Sequence, residues 1–317
     1  MSRPKYVKVV EVGPRDGLQN EATLVSSASK IELIERLAAA GLPVIEVTSF
    51  VSPKWVPQMS DSDTVLRSLM RSPGAATQSS PIYSVLTPNL QGFTAAVAAG
   101  AREVAIFAAA SEAFSQKNIN CSISESLLRF EPVLSAAKTQ GVKVRGYVSC
   151  IVACPYSGAV DPAKTAWVAE QLYAMGCYEI SLGDTIGLGN PDSIRHMLEA
   201  CARVVPIGQL AGHYHDTYGL AIANVCASLE FGISVFDSAI AGLGGCPYAA
   251  GAAGNVATED LVFLLQSLNI ETGVDMKKLL SASQFIMQQL ARQPSSKVAK
   301  ALFGRTPTAS PEPQQRP

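Results

Sequence analysis

Two histidines separated by one residue are the clearest chemical feature of this sequence. His213 and His215 are two of the three histidines in 317 residues, and they follow the apolar run 207–211. Alternate side chains of a β-strand face the same way, so the two imidazoles can share one metal ion. The alternative is a pair of hydrogen-bonded structural histidines, and the spacing alone does not separate the two interpretations.

Clustered polar residues and glycines follow three other strand-like runs, at residues 11–20, 181–189 and 241–255. Asp16 adds a carboxylate to the two imidazoles, a set that suits a divalent cation and leaves positions open for substrate and water. Asn255 can add an amide oxygen. Oxygen-rich coordination favours Mg²⁺ or Mn²⁺ over a structural zinc ion, and no cysteine pair has the CxxC spacing of a zinc site.

Arg15 and Glu46 are candidates for stabilising charge beside the cation. Arg15 precedes Asp16, so we expect the two side chains to diverge. A guanidinium has a permanent charge and a fixed fork of donors, which suits a developing enolate or carboxylate oxygen. Glu46 would hold Arg15 in place. The alternative is an ion pair with a structural role only.

Cys246 lies in the segment AGLGGCPY, in which three glycines precede the thiol. Such a loop can move and bring its backbone close to a ligand. Nearby cations would lower the pKa of the thiol, which could then give or take a proton. A buried, inert cysteine is the alternative, and we favour the acid/base role.

Composition limits the class of protein. Apolar residues make up 48% and charged residues 16% of the chain, with a formal net charge of −1, so we expect a sizeable core and neither a nucleic-acid nor a membrane partner. No apolar run reaches the roughly 18 residues of a spanning helix. Seven cysteines, odd in number and without a secretory signal, favour free thiols in a reducing compartment, which we take to be the cytoplasm.

Strand-like and helical patterns alternate along the chain. Eight such units within about 260 residues predict a (β/α)8 barrel. We expect one domain over residues 1–300, additional helices at about 275–300, and a disordered tail at 305–317. The loops after barrel strands emerge on one face. The predicted site residues therefore face one another there, namely Asp16, Glu46, Asp184, His213, His215 and the glycine loop.

These segments resemble the 3-hydroxy-3-methylglutaryl-CoA lyases, within the metal-dependent lyase group of TIM barrels. The resemblance covers nearly all of residues 7–300, and the loop GLGGCPYA is its most discriminating part. Related synthases and aldolases share the Arg-Asp and His-x-His patterns but not that loop. The matching segments are VEVGPRDGLQNE, VIEVTSFVSPKWVPQM, SVLTPNLQGF, VRGYVSC, CYEISLGDTIG, GHYHDTYG and AGLGGCPYAAGAAGNVATEDLV.

The resemblance implies a role for each matching residue. The metal ligands would be Asp16, His213, His215 and Asn255. Arg15 would stabilise the enolate oxygen, Glu46 would support the site, Asp184 would contact the substrate region, and Cys246 would be the acid/base, with His213 a second proton carrier. The implied reaction splits 3-hydroxy-3-methylglutaryl-CoA, an acyl-CoA, into acetoacetate and acetyl-CoA in leucine breakdown and ketone-body formation. The implied assembly is a homodimer.

Two positions depart from the family pattern. Ala22 replaces a common lysine, and Tyr214 stands where a cysteine is often found. Two alternatives stay open at this point. One is a related metal-dependent aldolase or acyl-CoA condensing synthase, which the Cys246 loop argues against. The other is an inactive metal-binding scaffold.

Overall fold

Eight parallel strands form a closed barrel in which each strand pairs with its neighbours in chain order and the last pairs with the first. This computed structural model describes residues 3–72, 80–246 and 249–304, and the side chains of residue 246 and residues 249–253 lie outside the description. The strands are β1 Lys8–Glu11, β2 Val44–Ser49, β3 Ile82–Leu86, β4 Glu103–Ala109, β5 Lys143–Ser149, β6 Glu179–Asp184, β7 Leu210–Tyr214 and β8 Val235–Ser238.

Helices surround the barrel and pack apolar faces on its outer surface. In the described residues they are α1 Ser27–Ala39, α2 Ser62–Arg71, α3 Leu90–Ala98, α4 Glu112–Ile119, α5 Ile123–Gln140, α6 Pro162–Ala174, α7 Pro191–Cys201, α8 Ala221–Phe231, α9 Thr258–Ser267, α10 Met276–Leu290 and α11 Lys297–Phe303. None of them is long and apolar enough to cross a bilayer. The (β/α)8 barrel with additional C-terminal helices is therefore confirmed.

Capping side chains fix the start of several helices. Ser122 and Glu125 form a reciprocal capping box at α5, as the sequence predicts. The side chains of Asp161 and Asn190 accept backbone N–H groups at α6 and α7, each followed by proline at the first helical position. Local sequence thus sets the helix boundaries that separate consecutive strands.

Some predicted boundaries are wrong. The sequence predicts a strand over 44–47 that Thr48 and Ser49 break, but both residues pair with β3 and are buried, so β2 continues through them. The polar stretch 111–120 contains α4, which the Ser111 side chain caps by accepting the N–H of Phe114. The sequence predicts an eighth strand over 235–240, but β8 ends at Ser238, and a 3-10 turn, Ile240–Gly242, follows after one residue. The predicted tail, residues 305–317, lies outside the described residues, and the single domain over 1–300 stays a prediction.

A buried carboxylate joins the ends of β1 and β8. Glu11 is fully buried, and its Oε1 accepts the backbone N–H groups of Gly13 and Ile240, at 2.8 Å each. Its Oε2 accepts the hydroxyl of Thr258 at 2.6 Å. Burial raises the pKa of Glu11 to about 8, against the hydrogen bonds that lower it. Glu11 therefore fixes the turn that follows β1 to the turn that precedes the glycine loop.

We expect this carboxyl group to make stability depend on pH. The folded protein holds the Glu11 proton up to about pH 8, whereas the ordinary pKa is 4.5. The folded state thus binds more protons in that window, so the free energy of unfolding falls as pH rises from about 5 to 8. Urea titrations at several pH values measure the free energy of unfolding, and its decrease with pH should be smaller in Glu11→Gln than in the wild type. The control is Glu131→Gln, at an exposed carboxylate of α5, in which the decrease should equal that of the wild type. An equal slope in wild type and Glu11→Gln would contradict the assignment.

Candidate functional site

Asp16, His213 and His215 meet at the carboxyl-terminal face of the barrel. Each offers one ligand atom, and these atoms all lie within 4.8 Å of one another. His213 is on β7 and His215 directly follows it, while Asp16 lies in the single π-turn Gly13–Gly17 after β1. Strand alternation turns both imidazoles inward, and their ring centroids are 5.5 Å apart. The structure thus brings together the three residues that the sequence singled out.

The donor set fits a divalent cation. Burial raises the pKa of Asp16, but Arg15 and the two imidazoles outweigh burial and lower it to about 2, so the carboxylate is ionised. Burial and His213 lower the pKa of His215 to about 4, so that imidazole is neutral. His215 Nδ1 is buried and has no hydrogen-bond partner among the described residues. An ionised carboxylate and a neutral imidazole are the states in which these groups can bind a divalent cation.

Asn255 lies against the carboxylate of this cluster. Its Nδ2 donates to Asp16 Oδ2 at 2.8 Å, and its backbone forms a β-bridge with His215. The amide is 3% exposed. Rotation of the amide group would exchange nitrogen for oxygen and present a fourth ligand. Its predicted role as a ligand stays a prediction.

Arg15 contacts Asp16, so the expectation that the two side chains diverge is wrong. Arg15 Nη1 donates to Asp16 Oδ1 at 2.7 Å, and Nε donates to Glu46 Oε1. Consecutive side chains point to opposite faces of a strand, whereas these two residues lie in a helical turn, where the angle between consecutive side chains is smaller and the long Arg15 side chain can reach back to Asp16. Burial would lower the pKa of Arg15, but Glu46 and Asp16 raise it, so the guanidinium stays charged.

Tyr147 and Arg145 on β5 support this arrangement from below. The hydroxyl of Tyr147 donates to Glu46 Oε2 at 2.8 Å and accepts Arg145 Nη1 at 2.9 Å. Sequence reasoning missed both residues. The available signal was their alternate spacing in the apolar run 142–148, which places polar side chains on the inward face of a buried strand.

Arg145 also binds two carboxylates inside the barrel. Its Nε donates to Glu179 at 2.7 Å, and its Nη1 and Nη2 donate to the two oxygens of Asp237 at 3.0 and 2.7 Å. Burial would raise the pKa of Asp237, but Arg145 and His213 outweigh burial and lower it, so this carboxylate is charged. Asp237 and Glu179 were likewise missed from the sequence.

Asp184 lies at the end of β6, and its hydrogen bonds go to the following loop. Its Oδ2 accepts the N–H of Gly189 at 2.8 Å, and Oδ1 is buried without a partner among the described residues. Burial raises its pKa to about 6, against the loop N–H groups that lower it. The predicted contact with substrate stays a prediction, and what the structure shows is a carboxyl group that organises the loop 187–189.

Cys246 lies in a two-residue strand, Gly245–Cys246, that pairs with Ala249–Ala253. Its side chain lies outside the described residues. The turn before it contains Ala241 at φ 59°, a left-handed conformation that is unusual for a residue with a side chain. Glu259 holds this turn by accepting the N–H of Ala241. The base of the glycine loop is therefore fixed next to the Asp16 turn.

An α/β barrel with a carboxylate and two imidazoles at its carboxyl-terminal face is typical of metal-dependent enzymes. The profile of the HMGL-like family matches residues 6–286. The chain belongs to the HMGL-like family, and with it to the carbon–carbon lyases.

Three relatives illustrate this membership. A mitochondrial hydroxymethylglutaryl-CoA lyase of Bos taurus is 60% identical over 298 residues, which cover 94% of this chain and 90% of the relative. The crystal structure of a hydroxymethylglutaryl-CoA lyase from Pseudomonas aeruginosa superposes with a TM-score of 0.91 at 58% identity, covering 96% and 99% of the two chains. A third is an HMG-CoA lyase from Acinetobacter baumannii in complex with coenzyme A and 3-methylmalate, with a TM-score of 0.88 at 34% identity and 98% coverage of both chains.

We expect His215→Ala to weaken Mn²⁺ binding more than about 100-fold. Loss of a ligand should exceed the roughly 10- to 100-fold effect of changing a residue that only supports a ligand. Isothermal titration calorimetry with MnCl₂ measures the affinity. His196→Ala, at the exposed histidine of α7, is the control and should bind as the wild type does. Equal affinity in His215→Ala would remove His215 from the metal site.

Proposed function

We propose that this chain cleaves 3-hydroxy-3-methylglutaryl-CoA into acetoacetate and acetyl-CoA with Mg²⁺ or Mn²⁺. The observation that carries the proposal is the cluster of Asp16, His213 and His215 beside the charged fork of Arg15. The cluster provides a site for a cation, and Arg15 provides a positive charge that can stabilise a negatively charged oxygen. The cleavage requires both kinds of electrostatic stabilisation. The 60% identity to a named hydroxymethylglutaryl-CoA lyase over 94% of the chain supports the substrate.

The reaction breaks the bond between the carbinol carbon and the methylene carbon next to the thioester. The tertiary hydroxyl loses its proton and becomes the ketone of acetoacetate, while the electron pair of the broken bond moves to the thioester oxygen. The residues that would hold the cation are Asp16, His213, His215 and, after amide rotation, Asn255. When bound, a divalent cation would make the tertiary hydroxyl more acidic and orient it.

Arg15 is placed to stabilise the thioester oxygen as it gains charge. Its Nε and Nη1 are engaged by Glu46 and Asp16, and no hydrogen bond of its Nη2 occurs among the described residues. Nη2 can therefore donate to the enolate oxygen. Because Arg15 is 5% exposed and held on two sides, its donor is oriented before the charge develops.

Cys246 would return a proton to the acetyl-CoA carbanion. Its thiol is the proposed acid, and the glycines before it would let the loop close over substrate. His213 is the second candidate for moving a proton, from the tertiary hydroxyl, and it could do so only when its Nε2 does not ligate the ion, because its Nδ1 faces Asp237. The coenzyme A bound to the Acinetobacter baumannii relative supports an acyl-CoA substrate.

We further propose a homodimer in a reducing compartment such as the cytoplasm. The six cysteines whose side chains the structure describes are free thiols, which supports a reducing compartment. The dimer rests on the resemblance to the lyases, and light scattering of the purified chain measures it.

Purified protein treated with EDTA should release no acetoacetate from 3-hydroxy-3-methylglutaryl-CoA. Addition of excess Mg²⁺ or Mn²⁺ should restore release, because the electrostatic stabilisation depends on the cation. Acetoacetate is measured by its reduction with NADH in a coupled assay. Absence of cleavage with either ion would contradict the proposed function. Cleavage of a 4-hydroxy-2-oxoacid instead would favour the aldolase alternative, and no turnover with intact ion binding would favour the scaffold.

Cys246→Ser should lower kcat by about 10²- to 10⁴-fold, the usual contribution of a positioned acid or base. Mn²⁺ affinity should stay unchanged, because the thiol is not among the proposed ligands. The matched control is Cys226→Ser, at the half-buried thiol of α8, which should retain full activity. An unchanged kcat in Cys246→Ser would remove Cys246 from the mechanism.

A further inference from the structure

Asp237 connects the charged interior of the barrel to one of the three clustered residues. It lies on β8, where it pairs in register with His213 on β7, and its side chain is fully buried. The Nδ1 of His213 lies 3.1 Å from Asp237 Oδ2. The other ring nitrogen, Nε2, faces Asp16 Oδ2 at 3.9 Å. One edge of this imidazole therefore faces the carboxylate of Asp237, and the other faces the candidate cation site.

Asp237 Oδ2 is surrounded by donors. It accepts the hydroxyl of Ser181 at 2.7 Å and Arg145 Nη1 at 3.0 Å, while Oδ1 accepts Arg145 Nη2 at 2.7 Å. This bidentate ion pair prevents rotation of the carboxylate. Both oxygens of Asp237 thus act as acceptors toward Arg145 and Ser181, so the ring nitrogen that faces Oδ2 is assigned the hydrogen.

We infer that Asp237 is a positioning residue that fixes His213 with its hydrogen on Nδ1 and its lone pair on Nε2, directed at the cation. A carboxylate behind a ligating imidazole also makes the imidazole a stronger base and holds the ring plane. This inference rests on the proposed metal site, because it concerns how one proposed ligand is prepared. It assigns a role to a residue that lies outside the ligand cluster itself.

A purely structural role is the competing explanation, since Asp237 also neutralises Arg145. Glu179 separates the two explanations. Its carboxylate accepts Arg145 Nε at 2.7 Å, is also buried, and makes no contact with His213 among its hydrogen bonds in the described residues. A variant at Glu179 therefore disturbs the same buried arginine without touching the imidazole.

The first experiment compares Mn²⁺ affinity in Asp237→Asn and Glu179→Gln by isothermal titration calorimetry. An asparagine at position 237 removes the negative charge and turns an NH₂ group toward either Arg145 or the imidazole. We expect a roughly 10- to 100-fold loss of affinity in Asp237→Asn, and affinity within about threefold of wild type in Glu179→Gln. Wild-type affinity in Asp237→Asn, or an equal loss in both variants, would overturn the inference.

The second experiment needs no metal and no variant at position 237. With three histidines in the chain, long-range ¹H–¹⁵N spectra of the metal-free wild type can be assigned by single His→Ala substitutions. We expect the spectrum of the singly protonated His213 ring to show its hydrogen on Nδ1. A ring protonated on Nε2 would overturn the inference even if Asp237→Asn does not fold. Neither readout is turnover. If the proposed reaction is not observed, the inference about Asp237 can still be correct, and if the inference is overturned, the proposed reaction is not thereby contradicted.

Discussion

A buried guanidinium inside the barrel requires carboxylates to neutralise it, and the candidate site depends on one of them, Asp237, which also contacts His213. Arg145 is 1% exposed and is held by Glu179 and Asp237. Removing one partner of such a pair leaves a buried charge that costs about 3–5 kcal/mol. The same arginine orients Asp237 toward His213 and Tyr147 toward Glu46. Both the cation side and the Arg15 side of the site are therefore set by one interaction on the barrel axis.

The interior of this barrel differs from the packed layers of branched apolar residues that are usual in the fold. Here the layer below the site is polar, with hydrogen bonds that cross the barrel from β5 to β8 and from β2 to β5. In a medium of low polarity these bonds are strong and directional. Rotation of any one side chain would leave a neighbour unpaired, so the site is held rigid before substrate arrives.

The fold and the ligand cluster could be predicted because their signals are local. Periods of two and of 3.6 residues, together with caps such as Ser122 and Asn190, predict the alternation of strands and helices. The common direction of loops after barrel strands then predicts that Asp16 and His213 meet. The supporting residues could not be found in this way, because the pairing of Arg145 with Asp237 depends on barrel closure and register. The contact of Arg15 with Asp16 was missed because the π-turn that contains both residues has no periodic pattern in the sequence.

Asp16 and the two histidines lie on opposite sides of the joint at which the barrel closes. Asp16 follows β1, the two histidines lie on β7 or directly after it, and β8 pairs with both strands between them. The coordination sphere therefore does not exist until the last strand has docked. A ligand that binds only the completed fold adds its binding free energy to stability by mass action. Nascent chains that end before residue 213 lack both histidines and gain no stability from the ion. A higher ion concentration would therefore stabilise chains that include this segment and not chains truncated before it.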